Sequence, residues 1–321
     1  MKPIPLSSFD PWDHVYVLAG SQLHVVVAAG IGRIVHLGLP GQPNLLHADA
    51  AESGEVPAPD EYRPWQNHGG DWLWPVARER WAETAGSDWP PPQFLAETAW
   101  SGNAWKSDDD ALHSQMIHDY PAPLSVRVIR QVTVAPNQAR VSVFQRIERT
   151  APSTLPVCLL QHSRILDPDY AVLPTDPLSR FDRRIRLLLG SVTETTVRRF
   201  GRTVWIRPPG TLDVKLGTDS QQHWAGAVKS GVMIVAQAVP DSTAGVYPDR
   251  GCRAEVYFNS GLGYAEIETL SVEARLRVGQ EIENTVHLTV HRLPEAQPLS
   301  ETAAWVDAHL FPAEVPENGE E

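Results

Sequence analysis

Segment after segment of this chain alternates apolar and polar residues one by one, with no helix-period stretch until close to the C-terminus. Residues 124–134 are the clearest case: Val126, Val128, Val132 and Val134 fall on one side, Ser125, Arg127, Gln131 and Thr133 on the other. Side chains leave a strand on alternate faces, so this pattern marks a strand with one face in a core. Residues 141–148 repeat it after the Pro136-Asn137-Gln138 turn. Residues 15–27 and 31–39 read as a hairpin turning through Ala28-Ala29-Gly30. Further strands are predicted at 155–161, 185–192, 203–207, 212–217, 223–228, 232–238, 252–259, 264–273 and 283–291. Short strands without alternating helices predict an all-β sandwich or barrel. One helix is expected at 300–310 with Ser300 as its N-cap, followed by a Pro- and Glu-rich tail that frays. Residues 1–295 read as a single domain and 296–321 as its terminal helix and acidic tail.

Residues 49–120 break the pattern. They are rich in Pro, Gly, Asp and Trp and show little periodicity, yet hold seven of the eleven tryptophans: Trp65, Trp72, Trp74, Trp81, Trp89, Trp100 and Trp105. Indoles contribute too much burial to be left in water, so an ordered loop-rich insertion over one sheet, forming a pocket wall, is expected.

With 27 basic against 39 acidic residues the chain carries a net charge of −12, which argues against a nucleic-acid partner. Cys158 and Cys252 are the only cysteines and have no zinc spacing, so both are expected to be reduced and buried. No apolar stretch suits a signal peptide or membrane span. A cytoplasmic monomer or weak homodimer without membrane contact is the expectation.

Two stretches carry candidate chemistry. In Tyr264-Ala265-Glu266-Ile267-Glu268-Thr269-Leu270, the residues Tyr264, Glu266, Glu268 and Leu270 share one strand face. Two carboxylates on one face repel unless that face is wet, pairs with an arginine such as Arg78 or Arg33, or holds a base. In Asn67-His68-Gly69-Gly70-Asp71-Trp72-Leu73-Trp74-Pro75, paired glycines let the backbone pass close to a ligand or another strand. His68 and Asp71 offer hydrogen bonds there, and Trp72 or Trp74 a flat face to stack on a sugar ring. His113 and His118 lack a third ligand and read as solvent-exposed, Asp108-Asp109-Asp110 reads as a solvated turn, and neither a metal nor a cofactor is expected. Tyr247-Pro248-Asp249 reads as a turn whose tyrosine lines the groove.

His68-Gly69-Gly70 resembles the His-Gly-Gly of aldose 1-epimerases (galactose mutarotases). An uncharacterised bacterial family of the galactose-mutarotase-like superfamily is more similar still. Its features match Gly32-Arg33-Ile34, Pro43-Asn44-Leu45-Leu46, Lys215-Leu216-Gly217-Thr218, Tyr247-Pro248-Asp249, Glu255-Val256-Tyr257, 264–270 and 276–279. The resemblance spans most of residues 15–292 and implies a galactose-mutarotase-like β-supersandwich with a sugar-sized groove and a small-molecule sugar as partner. It implies a base at Glu268 or Glu266, a general acid at His162 across the sugar, and substrate-binding roles for His68, Asp71, Trp72, Trp74, Arg78, Tyr264 and Tyr247. The Asn-Arg motif that aldose 1-epimerases carry near the N-terminus is not evident. The alternatives are therefore a non-catalytic sugar-binding or scaffold domain, or a polysaccharide lyase-type domain, since the fold alone does not fix an activity.

Overall fold

A computed structural model describes residues 1–49, 56–82, 86, 89–210, 213–239, 245–294 and 298–311. Two large sheets lie face to face. The first has ten strands in the spatial order Arg186–Leu189, Val214–Thr218, Ala254–Asn259, Tyr264–Leu270, Leu160–Leu166, Asp71–Trp74, Arg33–Gly38, His24–Ala28, Trp12–Ala19 and Ser7–Phe9, paired antiparallel throughout. The second has eleven, and its middle is Val126–Val134, Arg140–Arg149, Glu281–Arg292, Val232–Ala238 and Trp224–Lys229. The predicted all-β architecture is the observed one.

Period-two patterning explains how the sheets join. Ala265 and Ile267 point inward from Tyr264–Leu270 and pack with Ile165, Val256 and Leu216 of their own sheet against Ala225, Ala227, Ile234 and Ala236 of the other. Full burial of a valine, leucine or isoleucine among them contributes roughly 1.5–3 kcal/mol. Tyr264, Glu266 and Glu268 leave the same strand on its other side, where they line a hollow in the ten-stranded sheet's outer face.

Several boundaries differ from expectation. Residues 15–27 are a hairpin rather than one strand, because the chain reverses at Gly20, whose N–H donates to Leu23 O at 2.9 Å. Residues 155–159 are extended but outside the ladder, tied to their neighbours by a bridge from Val157 to Ala274 and by bonds from Cys158 N to Pro75 O and from Ser271 N to Leu159 O; the strand begins at Leu160 and continues to Leu166. His162 thus sits inside a strand and not beyond its end. The stretch 49–120 is only partly an insertion. It supplies Asp71–Trp74 to the first sheet and Ser101–Lys106 and Leu112–Tyr120 to the second. Residues 50–55, 83–85, 87 and 88 of it lie outside the described residues, as does the predicted frayed tail after Phe311. The terminal helix is Leu299–Leu310, capped by Pro298, so Ser300 lies within it instead of at its N-cap. His113 and His118 are half-buried, not exposed: His113 bonds Ser107 and Thr133, and His118 stacks on Trp100. Cys158 and Cys252 are buried and free. Among the described residues no helix is long and apolar enough to cross a membrane.

Candidate functional site

The hollow has a volume of about 370 Å³ and rests on five adjacent strands. Leu160, His162 and Arg164 enter it from one, and Tyr264, Glu266 and Glu268 from its neighbour. Trp72 and Trp74 come from the strand on the far side of His162, and Tyr257, Asn259 and Lys215 from the two strands beyond Glu268. Trp65, Asn67, Trp81, Trp89, Asp213 and Leu262 join the wall from loops, and Arg78 from a short helical turn. Period two governs the selection, since each strand contributes alternate residues.

Register sets the contacts. His162 pairs opposite Glu268 and Arg164 opposite Glu266. Arg164 donates from Nη2 to Glu266 Oε1 at 2.7 Å and from Nε to the same oxygen at 3.2 Å, while its Nη1 holds Asn67 Oδ1. The arginine that answers the Glu pair is therefore Arg164, not Arg78 or Arg33. Arg33 instead donates to Gly69 O and Glu97. Lys215 Nζ donates to Glu268 Oε2 at 3.0 Å and lies 2.6 Å from Glu255 Oε2 and 3.7 Å from Asp249 Oδ2.

Each glutamate thus has one anchored oxygen and one turned inward. Glu266 Oε2 and Glu268 Oε1 both lie 3.8 Å from His162 Nδ1, beyond hydrogen-bond reach. His162 is only 6 % exposed, and neither ring nitrogen has a hydrogen-bond partner among the described residues. Its ring stacks on Trp72, with centroids 5.0 Å apart and planes 12° apart. A buried imidazole whose ring nitrogens lack a hydrogen bond costs free energy unless water or a ligand supplies one. Acid and base candidates stand on adjacent strands of one sheet, not on facing walls as expected.

Charges differ in kind between the carboxylates. Burial pushes Glu266 up, but the Arg164 guanidinium, aided by His162, outweighs it and holds the carboxyl at about 2. Glu255, with no exposed surface, is pushed well up by burial and then by Asp249. Burial works to strip Lys215 of its proton, yet Glu255, Glu268 and Asp249 together keep it an ammonium. Burial also raises Tyr257, whose hydroxyl donates to Asp213 Oδ2 at 3.0 Å.

Of the residues singled out in sequence, Glu266, Glu268, His162, Trp72, Trp74, Arg78 and Tyr264 meet in the hollow. His68, Asp71 and Tyr247 do not line it. His68 is 1 % exposed, with Nε2 3.3 Å from Glu97 Oε2. Asp71 lies on the strand's core side, its carboxylate taken by Arg130 Nη2, by Gln161 Nε2 at 2.6 Å and by Ser163 Oγ at 2.7 Å. Tyr247 belongs to a separate surface hollow beside Arg253, whose guanidinium stacks 4.7 Å over its ring. The Gly-Gly pair serves strand approach. Both glycines have left-handed φ, and a Cβ would strike His47 O at Gly69 and Ile34 O at Gly70. Gly70 also bridges strands, donating to His47 O at 2.7 Å and accepting from Arg164 N at 2.9 Å. Arg164, Lys215, Tyr257 and Asn259 were missed in sequence, although Arg164 lies two residues after His162 and so on its face.

The oxygens and nitrogen of His162, Glu266 and Glu268 also lie within 4.8 Å of one another, close enough to share a metal ion. Arg164 and Lys215 already supply positive charge to both carboxylates, which lowers the demand for a cation there.

No protein-family model matches this sequence, and no curated protein does. Solved structures do. The protein Slr1438 from Synechocystis sp. PCC 6803 aligns with a TM-score of 0.57 and 13% identity over 91% of this chain and 98% of its own. A candidate aldose 1-epimerase from Escherichia coli K12 aligns with a TM-score of 0.56 and 13% identity over 87% of this chain and 99% of its own. A galactose mutarotase-like protein from Lactobacillus casei ATCC 334 aligns with a TM-score of 0.50 and 11% identity over 86% and 100%. The chain therefore has the galactose-mutarotase-like fold, a β-sandwich with a short C-terminal helix. At such identities the likeness extends to the fold.

Proposed function

We propose that the hollow binds an aldose and that the chain interconverts its anomers by acid–base chemistry. Glu268 Oε1 takes the proton of the anomeric hydroxyl, O1, as His162 gives one to the ring oxygen, O5. The C1–O5 bond breaks and leaves an open-chain aldehyde. After rotation about C1–C2 the O5 hydroxyl adds to the other face of C1, returning its proton to His162 while Glu268 reprotonates O1. Nothing is oxidised and no proton is lost. O1 and O5 are both bonded to C1, so a base and an acid 3.8 Å apart on adjacent strands reach both atoms of one sugar. Glu266, held at about 2 by Arg164, is too weak a base for this step and acts with Arg164 and Asn67 as a hydroxyl-binding edge. Trp72 and Trp74 supply the apolar wall.

The observation that carries this reading is the unpartnered His162 ring facing the inward oxygens of two glutamates. Magnetisation exchange between α and β anomers, followed by NMR over a panel of aldoses, tests it. Anomer exchange faster than in buffer, with saturation by sugar, is the expected result. Binding without acceleration of any aldose leaves the second reading, a sugar-binding domain without turnover. One observation favours that second reading: His68, the residue matching the family's His-Gly-Gly, is buried against Glu97 and does not line the hollow.

A further inference from the structure

Four of the short motifs behind the family resemblance each send one charged side chain to a single point. Lys215 comes from Val214–Thr218, Asp249 from the turn Pro248–Gly251, Glu255 from Ala254–Asn259 and Glu268 from Tyr264–Leu270. Lys215 Nζ lies 2.6 Å from Glu255, 3.0 Å from Glu268 and 3.7 Å from Asp249. Asp249 and the following Arg250 have φ of 48° and 61°, a left-handed turn of two non-glycine residues. Such a backbone persists only where its surroundings over-determine it, and here it places a third carboxylate beside one ammonium.

That stoichiometry does not suit simple charge neutralisation, which one carboxylate would satisfy. Nor does it suit a lysine nucleophile, because acids on three sides keep the ammonium protonated. It does suit a device that fixes where a base points. Glu255 and Asp249 bear on the same ammonium from a neighbouring strand and a turn and fix its place, and through it the place of Glu268 Oε2.

On the reading of the hollow as an anomer-exchanging site, we propose that Lys215 is a positioning residue. Its ammonium clamps Glu268 Oε2 so that Oε1 faces His162 and the anomeric hydroxyl, and Glu255 and Asp249 hold that ammonium in place. Lys215 has no part in sugar binding itself.

Lys215→Met and Lys215→Arg, assayed by anomer exchange, test this. Lys215→Met is expected to lower kcat about 100-fold with KM within about threefold, and Lys215→Arg to regain most of the loss, since the clamp needs charge more than shape. A KM that rises while kcat holds makes Lys215 a sugar contact and overturns the proposal, as does no kinetic change. If Lys215→Met does not fold, Asp249→Asn carries the kinetic test: the ammonium, held on one side fewer, is expected to loosen its grip on Glu268 and lower kcat several-fold at unchanged KM, and an unchanged kcat counts against the clamp. A second readout needs no activity. The lysines are Lys2, Lys106, Lys215 and Lys229, so ammonium ¹H–¹⁵N spectra contain few signals. One ammonium is expected to resist solvent exchange at neutral pH, to vanish in Lys215→Arg and to exchange faster in Glu268→Gln. Absence of that protected signal refutes the clamp in any case. An intact signal in a protein that epimerises no sugar refutes only the enzymatic reading.

Discussion

Glu266 and Glu268 stand two residues apart on one strand face, yet their surroundings give them different chemistry. Arg164 holds Glu266 at about 2, where it accepts hydrogen bonds but takes a proton poorly. Glu268 is anchored through one oxygen by an ammonium that two further acids also hold. Glu268→Gln is therefore expected to cut kcat by about 100-fold or more with KM little changed, as removing a general base does. Glu266→Gln is expected to act chiefly on KM, because Arg164 loses the partner that orients it toward the sugar. Anomer-exchange NMR at several sugar concentrations separates the two; a Glu268→Gln rate within about twofold of the parent sinks the assignment of the base. Asp71 calls for the opposite expectation. Its carboxylate and the Arg130 guanidinium are both wholly buried on the core side of the strand that carries Trp72 and Trp74. Asp71→Ala leaves that arginine uncompensated and is expected to cost about 3–5 kcal/mol in urea unfolding. The folded fraction should retain its sugar affinity; a full-stability variant that loses only sugar binding would return Asp71 to the site.

At the scale of elements, the short strand Asp71–Trp74 decides where the hollow lies. It wedges between Arg33–Gly38 and Leu160–Leu166, and Gly69-Gly70 let it enter that gap. Gly70→Ala forces a Cβ onto Ile34 O at a left-handed φ of 77°, and is expected to destabilise by more than about 1 kcal/mol and weaken sugar affinity together, because Trp72 shifts with its strand. Thermal melts and tryptophan-fluorescence titration check both effects; a variant of parent stability with parent affinity contradicts this role for the glycine. The same strand shows why the sequence was legible only in part. Long one-sided strands such as Val126–Val134 bury every second residue and declare themselves by alternation. All four residues of Asp71–Trp74 are buried, because both faces are covered, so no alternation remains to be read. The apolar run 155–159 fills the core cluster around Trp72 and Trp74 as extended chain with one bridge, which displaced the apparent strand and left His162 at its end. The Glu pair was legible because it is exposed to one strand's own period. Its partners Arg164, Lys215 and Glu255 come from other strands, and one sequence carries no register between strands.

On the scale of the whole molecule, the sandwich buries His36 and His223 and half-buries His24, His113, His118, His287 and His291. Burial lowers His24, His36, His113, His118, His223, His287 and His291, with His36 and His223 both brought to about 4. His24 adds to the effect at His36, and Arg253 adds to it at His223. A histidine whose folded value lies below its unfolded one takes up its proton first in the unfolded chain. Its neutral form therefore favours the folded state fully above about 6.5, and that advantage drains away as pH falls toward about 4. Glu266 acts lower on the scale. Its folded value near 2 lies below the ordinary carboxylate value, so the stability it contributes is complete above about 4.5 and is lost between there and about 2. Acid should then weaken the fold in two stages, first through histidines spread over both sheets and later through the carboxylate of the hollow. Melting temperatures measured from pH 8 to pH 3 are expected to fall already between pH 6.5 and 5. His223 lies outside the hollow, so His223→Gln should shrink that first stage by its own share while leaving the later one intact, and Glu266→Gln should shrink the later one and leave the first. A melting temperature that stays level down to pH 5 would mean these imidazoles take up protons in the folded sandwich as readily as in water. The burial assigned to them here would then be wrong.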